Sequence, residues 1–411
     1  MSEIKNSVNI LVGQSGGPTT VINSSLYGVI KEAISSEGIN RIYGMINGIE
    51  GFIDDKVIDI EKSMTEEEIE LLMHTPAAYL GSCRYKLPMD MDDGVYKMIF
   101  RKFSELGIGY FVYIGGNDSM DTVDKLSRYA KKTSSNVKVI GIPKTIDNDL
   151  ECTDHSPGFG SAAKYVATTV RDIVLDANVY NTHSVTIVEL MGRHAGWITA
   201  SSALARKFEG DNPVLIYLPE APFDVDDFVR KVKKNLENNN NVIVCVSEGI
   251  KDKDGNFICE YNAKQGVDTF GHKMLTGCGK YLENVIKDEL NVKVRSVELN
   301  VNQRCKAILA SATDINEAIE CGRYGVKMAL KGETGKMITM NRKAQDEYEI
   351  EYGVAECSNV CNKEKLVPDA WISEDKTDVT KEFIDYVTPL IQGENETPME
   401  NGLPKYCYRK N

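Results

Sequence analysis

The 411-residue sequence contains no run approaching the ~20 consecutive apolar residues that a membrane-spanning helix needs, so no spanning segment is expected. Its start, MSEIKNSVNILVGQ, passes from polar residues directly into a strand-like run with no signal-peptide pattern, and a cytoplasmic protein is expected. Positive charge is in deficit: 48 Lys and Arg stand against 61 Asp and Glu, a net −13. That argues against a nucleic-acid binder working through general positive charge. The ten cysteines include no C-x-x-C pair. Cys357 and Cys361 lie four apart, but no second half of a metal site stands at ligand spacing, so reduced thiols acting as small apolar side chains are expected. There is no short-period repeat, no low-complexity linker, no G-x-x-x-x-G-K-[ST] phosphate loop and no protein-kinase signature set.

What is present is a series of short β-branched runs, each ending in glycine or polar residues. They are VNILVG (8–13), YFVYIGG (110–116), VKVIGI (137–142), SVTIVEL (184–190), PVLIYL (213–218), NVIVCV (241–246) and VRSVEL (294–299). Continuous rather than alternating apolar runs indicate strands covered on both faces, hence a parallel sheet. Helical patterns between them give the doubly wound α/β class. The polar C-terminal region predicts a helix around 379–391 and a tail packed on the body.

In an open parallel sheet, ligands bind beyond the carboxyl ends of the strands, so the residues following each strand carry the chemistry. After the first comes GQSGGPT (13–19), whose paired Gly16 and Gly17 allow backbone N–H groups to approach a phosphate; an ordinary tight turn would look the same. After the second comes GGNDS (115–119), where Asp118 and Ser119 read equally as phosphate or Mg²⁺ handling and as helix caps. After the third comes PKTIDND (143–149), which sets a lysine, a threonine and two acids in one loop: a cation, a metal ligand and a general base for an acceptor hydroxyl. MGRHAG (191–196) offers Arg193 for a planar grip on a phosphomonoester, with His194 in a supporting place. Glu248 can accept from sugar hydroxyls, and Arg304 adds a second arginine to the same rim. Arg295, nine residues earlier, stands at the other end of its strand and is expected to face another lobe or subunit. Transfer of phosphate to an alcohol needs this inventory, because it relies on positioning and charge neutralisation.

The ordered set SGG (15–17) with Asn23, LGSCRYKL (80–87), GGNDS, PKTIDND, TDHSPGFGSAAKY (153–165), MGR (191–193), SEG (247–249) and QR (303–304) resembles the phosphofructokinases over roughly residues 8–330. The resemblance implies two Rossmann-like lobes with the site in the cleft between them. One spans approximately 1–150, with part of 305–355 returning to it; the other spans approximately 151–304; and 356–411 form a C-terminal extension. It implies that Asp147 is the base for the sugar C1 hydroxyl. Thr145, Met191, Gly192, Arg193, Glu248 and Arg304 would hold fructose 6-phosphate, and Arg295 would reach a neighbouring subunit's substrate in a homodimer or homotetramer. Gly16, Gly17, Arg84 and Lys144 would serve the phosphoryl donor, with Asn117, Asp118 and Asp149 around Mg²⁺.

Two positions speak to the donor. Members using ATP typically have glycine where this chain has Asp118 and Lys144, whereas members using pyrophosphate are similar to it at both. A carboxylate at 118 would repel a nucleotide's α-phosphate, and a cation at 144 replaces binding that adenosine otherwise provides. Three departures from the family pattern are Asn117 in place of an aspartate, Ser184 in place of a second cross-subunit arginine, and Val301 in place of histidine or tyrosine. They leave sedoheptulose 7-phosphate open as an additional acceptor. Beside a reversible pyrophosphate-dependent enzyme stand an ATP-dependent one and a silent sugar-phosphate-binding subunit; the intact Asp147, Arg193 and Lys144 argue against the last. The NAD- and lipid-kinase group shares a loop similar to GGNDS but lacks PKTIDND and MGR.

Overall fold

The computed structural model describes residues 8–261, 277–345 and 347–409. Two sheets organise them. The first has strand order β11-β10-β5-β4-β1-β2-β3, comprising β1 (Val8–Gln14), β2 (Ile39–Met45), β3 (Val57–Asp59), β4 (Ile108–Gly115), β5 (Lys138–Pro143), β10 (Lys336–Arg342) and β11 (Ile350–Glu356). The second has order β7-β8-β6-β9, from β6 (Ser184–Leu190), β7 (Leu215–Tyr217), β8 (Asn241–Ser247) and β9 (Lys293–Glu298). All seven strands expected from the sequence are present. The expectation of parallel sheets holds throughout the second but needs correction in the first, where β3 and β11 pair antiparallel at its two edges. β10 and all but the last residue of β11 lie in the 305–355 stretch, and β10 pairs directly with β5.

Register explains how the strand-end loops meet. Gln14 is paired with Ile114, Gly115 with Pro143, and Leu190 with Ser247. The loops that follow β1, β4 and β5 therefore leave the first sheet side by side, as do those after β6 and β8 in the second.

Five helices matter to the site: α1 (Ile22–Ser35), α2 (Asn117–Lys132), α3 (Phe159–Ala177), α4 (Ala312–Leu330) and α5 (Lys381–Val387). α2 buries Met120, Val123, Leu126 and Ala130, a helical spacing, and carries Asp118 in its first turn with Lys131 and Lys132 in its last, complementing the helix dipole. α1 and α4 approach closely enough that a Cβ at Gly28 would lie 2.1 Å from the Ile319 oxygen, and one at Gly322 would lie 2.2 Å from the Ser25 oxygen. Any larger residue at either position would force the pair apart. The helix expected near 379–391 is α5 followed by a 3₁₀ turn, Thr388–Ile391. Its Phe383, Tyr386, Val387 and Leu390 are buried in the core beneath the second sheet with Trp197. The tail then returns to the first lobe, where the Cys407 N–H donates to Thr75 Oγ1 at 2.9 Å. Among the described residues no helix is long and apolar enough to cross a membrane.

Candidate active site

The loop after β1 is shaped from below. Gln14 donates to Asn23 Oδ1 at 2.9 Å and accepts from the Leu80 N–H at 2.9 Å, while Gly16 N–H donates to the Cys83 oxygen at 3.2 Å. Asn23 also accepts the Tyr79 N–H at 2.9 Å and donates to the Thr75 oxygen at 2.9 Å, so Gln14 and Asn23 together hold the turn after β1 against the 75–80 segment. Gly16 has φ +77°, and a Cβ there would crowd the Lys144 ammonium at 3.2 Å. A Cβ at Gly17 would lie 3.3 Å from Arg304 Nη1, so this glycine lets the first lobe approach the second lobe's arginine.

Lys144 is buried, and its ammonium donates to the Gly17 carbonyl at 2.7 Å. Burial lowers its pKa to about 8; Asp147 and Asp149 oppose the shift, and Arg304 and Arg84 add to it. Thr145 Oγ1 lies 3.3 Å from Asp147 Oδ2 and accepts the Asp147 N–H at 3.1 Å, turning the carboxylate back over its own loop. The open face that Asp147 and Asp149 retain is the cleft itself. Burial raises the pKa of Asp147 against the opposing charges of Lys144 and Arg304. Burial and then the Asp147 charge raise Asp149 to about 7.

In the second lobe, the Met191 N–H donates to Gln303 Oε1 at 3.1 Å and the Gly192 N–H to Glu248 Oε1 at 3.3 Å. Gly192 has φ +142°, and its oxygen accepts from the Ser247 hydroxyl. These bonds fix the turn that presents Arg193. Burial raises Glu248 to about 7, partly offset by the Gly192 hydrogen bond.

A cavity of about 740 Å³ joins the lobes; Gly17, Arg84, Asn117, Asp118, Asp147, Asp149, Met191, Arg193, Glu248 and Arg304 all line it. A chamber of about 230 Å³ at the first lobe's end adds Gly16, Lys144 and Thr145. Gly192 is bonded to Glu248 in the same wall. The exception is Arg295: it lies on β9, half exposed, 3.5 Å from Asp176, and does not line the cleft of its own chain. Ser184 is buried, donating to Asn241 Oδ1 at 2.6 Å, and Val301 is exposed.

The three residues expected around Mg²⁺ stand in different surroundings. Asn117 Oδ1 accepts the Asn362 N–H at 2.5 Å and its Nδ2 donates to the Lys363 oxygen, so its carboxamide holds main chain from the C-terminal extension. Asp118 stands at the rim of the cleft, its side chain 73% exposed and 3.2 Å from the Lys86 ammonium. Among the described residues no three His, Cys, Asp or Glu side chains converge to hold a metal ion by themselves. The chemistry left is a pair of oxygen-donor acids, Asp147 and Asp149, beside a space large enough for phosphate oxygens. That donor set fits Mg²⁺, which commonly takes one or two carboxylates and completes its shell from phosphate and water.

Sequence reasoning missed four residues here: Lys86, and Asn362, Glu364 and Lys365 from the extension. Lys86 lay inside the LGSCRYKL motif without being singled out. Glu364 lines the cleft near His194, with 3.9 Å between Oε2 and Nδ1.

The phosphofructokinase family model matches residues 9–329. The chain belongs to the phosphofructokinase family. This phosphofructokinase is 39% identical over 97% of its length to a pyrophosphate–fructose 6-phosphate 1-phosphotransferase of Halomonas elongata, covering 95% of that protein. Its structure is similar to those of pyrophosphate-dependent phosphofructokinases from Nitrosospira multiformis and Marinobacter aquaeolei, each with a TM-score of 0.88 and 36% identity. The first match covers 97% of this phosphofructokinase and 96% of its neighbour; the second covers 98% and 96%.

Proposed function

We propose that this phosphofructokinase transfers a phosphoryl group from pyrophosphate to the C1 hydroxyl of fructose 6-phosphate, giving fructose 1,6-bisphosphate and phosphate. The observation that carries the reading is the buried Lys144 ammonium in the small chamber beside Gly16 and Gly17, with the Asp118 carboxylate at its rim. The chamber shares Gly17, Arg84, Asp118 and Asp147 with the wider cleft, so the buried cation meets the donor at the cleft's inner end while the Asp118 carboxylate at the rim repels the further phosphates of a nucleotide.

In this mechanism Asp147 accepts the proton from the C1 oxygen as that oxygen attacks the nearer phosphorus of pyrophosphate. The P–O bond to the departing phosphate breaks, and Lys144 and Arg84 stabilise the charge on the transferring and leaving oxygens. Gly16 and Gly17 give the donor close backbone approach. Met191, Gly192 and Thr145 shape the sugar site, Glu248 accepts from sugar hydroxyls, and Arg193 and Arg304 grip the sugar phosphate. Mg²⁺, held by Asp149 together with donor oxygens and water, would supply charge neutralisation on the diphosphate and leave Asp147 free as the base. Because one phosphate ester or anhydride is exchanged for another of similar transfer potential, the reaction runs in both directions. Arg295 would complete the sugar-phosphate grip of a neighbouring copy, which makes a homodimer or homotetramer the working form. Ionic sugar phosphates do not cross membranes unaided, which supports a cytoplasmic location.

The test is product stoichiometry with pyrophosphate, Mg²⁺ and fructose 6-phosphate. One fructose 1,6-bisphosphate should form per phosphate released, and added phosphate should drive the bisphosphate back to pyrophosphate. Absence of both products would overturn the proposal.

A further inference from the structure

The segment 362–367 of the C-terminal extension touches both sides of the cleft. On the first lobe its main chain is held by the Asn117 carboxamide. On the second, the Trp197 indole donates to the Lys365 oxygen at 2.8 Å, and Glu220 Oε1 accepts from both Val367 N–H at 3.0 Å and Gly196 N–H at 2.8 Å. Between these anchors the Lys365 N–H donates to the Asp149 oxygen at 2.8 Å. The Lys365 ammonium bonds the Thr153 and Asp154 oxygens at 3.0 and 2.7 Å. A second member of the extension reaches the same loop. Asn148, buried with φ +53°, donates to the Tyr386 hydroxyl at 3.0 Å, and that hydroxyl donates to the Asp154 oxygen at 2.7 Å. Asn148 also accepts from the Ser156 N–H at 3.0 Å. Both residues that follow Asp147 are thus tied to the extension.

We propose that Lys365 and Tyr386 are positioning residues for the phosphoryl transfer: from the C-terminal extension they fix the backbone of the loop carrying Asp147 and Asp149, and so the aim of the Asp147 carboxylate. This rests on the reading of Asp147 as the base. A non-helical loop at a strand end has no ladder to hold it, and Asn148 sits in a left-handed conformation that surrounding bonds must sustain. A misplacement of about 1 Å at a reacting group can cost ~10²-fold in rate, so ties of this kind act on kcat and leave the binding of substrates that touch other residues nearly unchanged.

The experiment compares full-length Lys365→Met, Lys365→Arg and Tyr386→Phe with the unchanged enzyme, alone and combined with Asp147→Asn. The expected result is a ~10–100-fold fall in kcat for Lys365→Met and ~10-fold for Tyr386→Phe. KM for fructose 6-phosphate and pyrophosphate should stay within about threefold, and Lys365→Arg should recover part of the loss. In the Asp147→Asn background neither change should cost anything further, because what they aim is already gone. Should Lys365→Met fail to fold, Tyr386→Phe, which removes one oxygen and keeps the packed ring, decides the matter. Unchanged kcat in Tyr386→Phe, or a loss that multiplies fully with that of Asp147→Asn, would overturn the inference. An active Asp147→Asn single variant would instead overturn the reading on which it stands, so the two failures are distinguishable.

Discussion

The Lys144 ammonium lies 2.7 Å from the main-chain oxygen of Gly17, tying the loop after β5 to the glycine turn after β1. Both loops emerge at the carboxyl edge of one sheet, and the cation lines the chamber between them. A lysine so enclosed is held at the first lobe's end of the cleft, near enough to Asp147 and Asp149 for their charges to act on it.

Replacing Lys144 by methionine should therefore lower turnover with pyrophosphate by ~10²–10³-fold, the scale of losing one preorganised charge-stabilising group. Asp118→Gly should admit ATP weakly and damage pyrophosphate use. The double change of Asp118 and Lys144 to glycine should move the ratio of kcat/KM values further towards ATP than either single change. A ratio that barely moves in all three variants would reduce both residues to loop caps.

Asp147→Asn keeps the size of the side chain and removes its basicity. Its kcat should fall by ~10²–10⁴-fold, with fructose 6-phosphate binding, measured by calorimetry, nearly unchanged. A near-normal kcat would reject the assignment.

The pH dependence follows from the same loop. Burial raises Asp147, and burial with the Asp147 charge takes Asp149 to about 7, so protonation of this pair on the acid side removes the base. Lys144, lowered to about 8 by burial, loses its charge on the alkaline side. The profile of kcat/KM for pyrophosphate should be a narrow bell between these limits. Asp149→Asn should move the acid limb to lower pH by removing the competing charge; an unmoved limb would contradict the coupling.

Stability should carry its own signature from His155. This buried ring lies between Asp154, 2.8 Å from Nδ1, and Glu317, 2.7 Å from Nε2, with the Tyr348 hydroxyl 3.5 Å from Nε2. Burial alone would lower its pKa, but the Glu317 charge and the bonds to both acids raise it to about 9. A folded value above the unfolded ~6.5 means that the stabilisation is complete below pH ~6.5 and is lost as pH rises through about 9. The gap in Tm between the unchanged enzyme and His155→Asn should thus be widest near pH 6 and close towards pH 9.5. A constant gap would contradict an imidazolium at this position.

Sharing of sites between copies makes a further expectation. Arg295→Ala should raise KM for fructose 6-phosphate without lowering Tm. Mixing it with Asp147→Asn chains, under conditions where subunits exchange, should restore activity, because some sites then combine an intact Arg295 with an intact Asp147. No recovery despite demonstrated exchange would confine each site to one chain.

Much of the site was legible because a parallel sheet concentrates it at strand ends, and the β-branched runs that mark those strands end in glycines, acids and basic residues. β2 and β11 were not legible: INRIYGM leaves two polar residues exposed near its start, and IEYGVAE is an edge strand with acids at two positions. The extension's part was hidden for a different reason. Its contacts with Asn117, Trp197 and Asp149 run through the main chain of Asn362, Lys363 and Lys365, and main-chain atoms leave no residue-type pattern to read. The exchange of an aspartate for Asn117 was visible, but its consequence, a carboxamide that clasps the extension, depends on a partner about 245 positions later.

The measurement closest to the centre of this account is donor competition in one steady-state assay. Purified enzyme would be given fructose 6-phosphate and Mg²⁺ with pyrophosphate, with ATP, and with both. The account predicts rapid formation of fructose 1,6-bisphosphate with pyrophosphate, little with ATP, and no diversion of phosphoryl flux when both are present. Efficient use of ATP by an enzyme that ignores pyrophosphate would contradict it, whatever the variants at Asp118 and Lys144 showed.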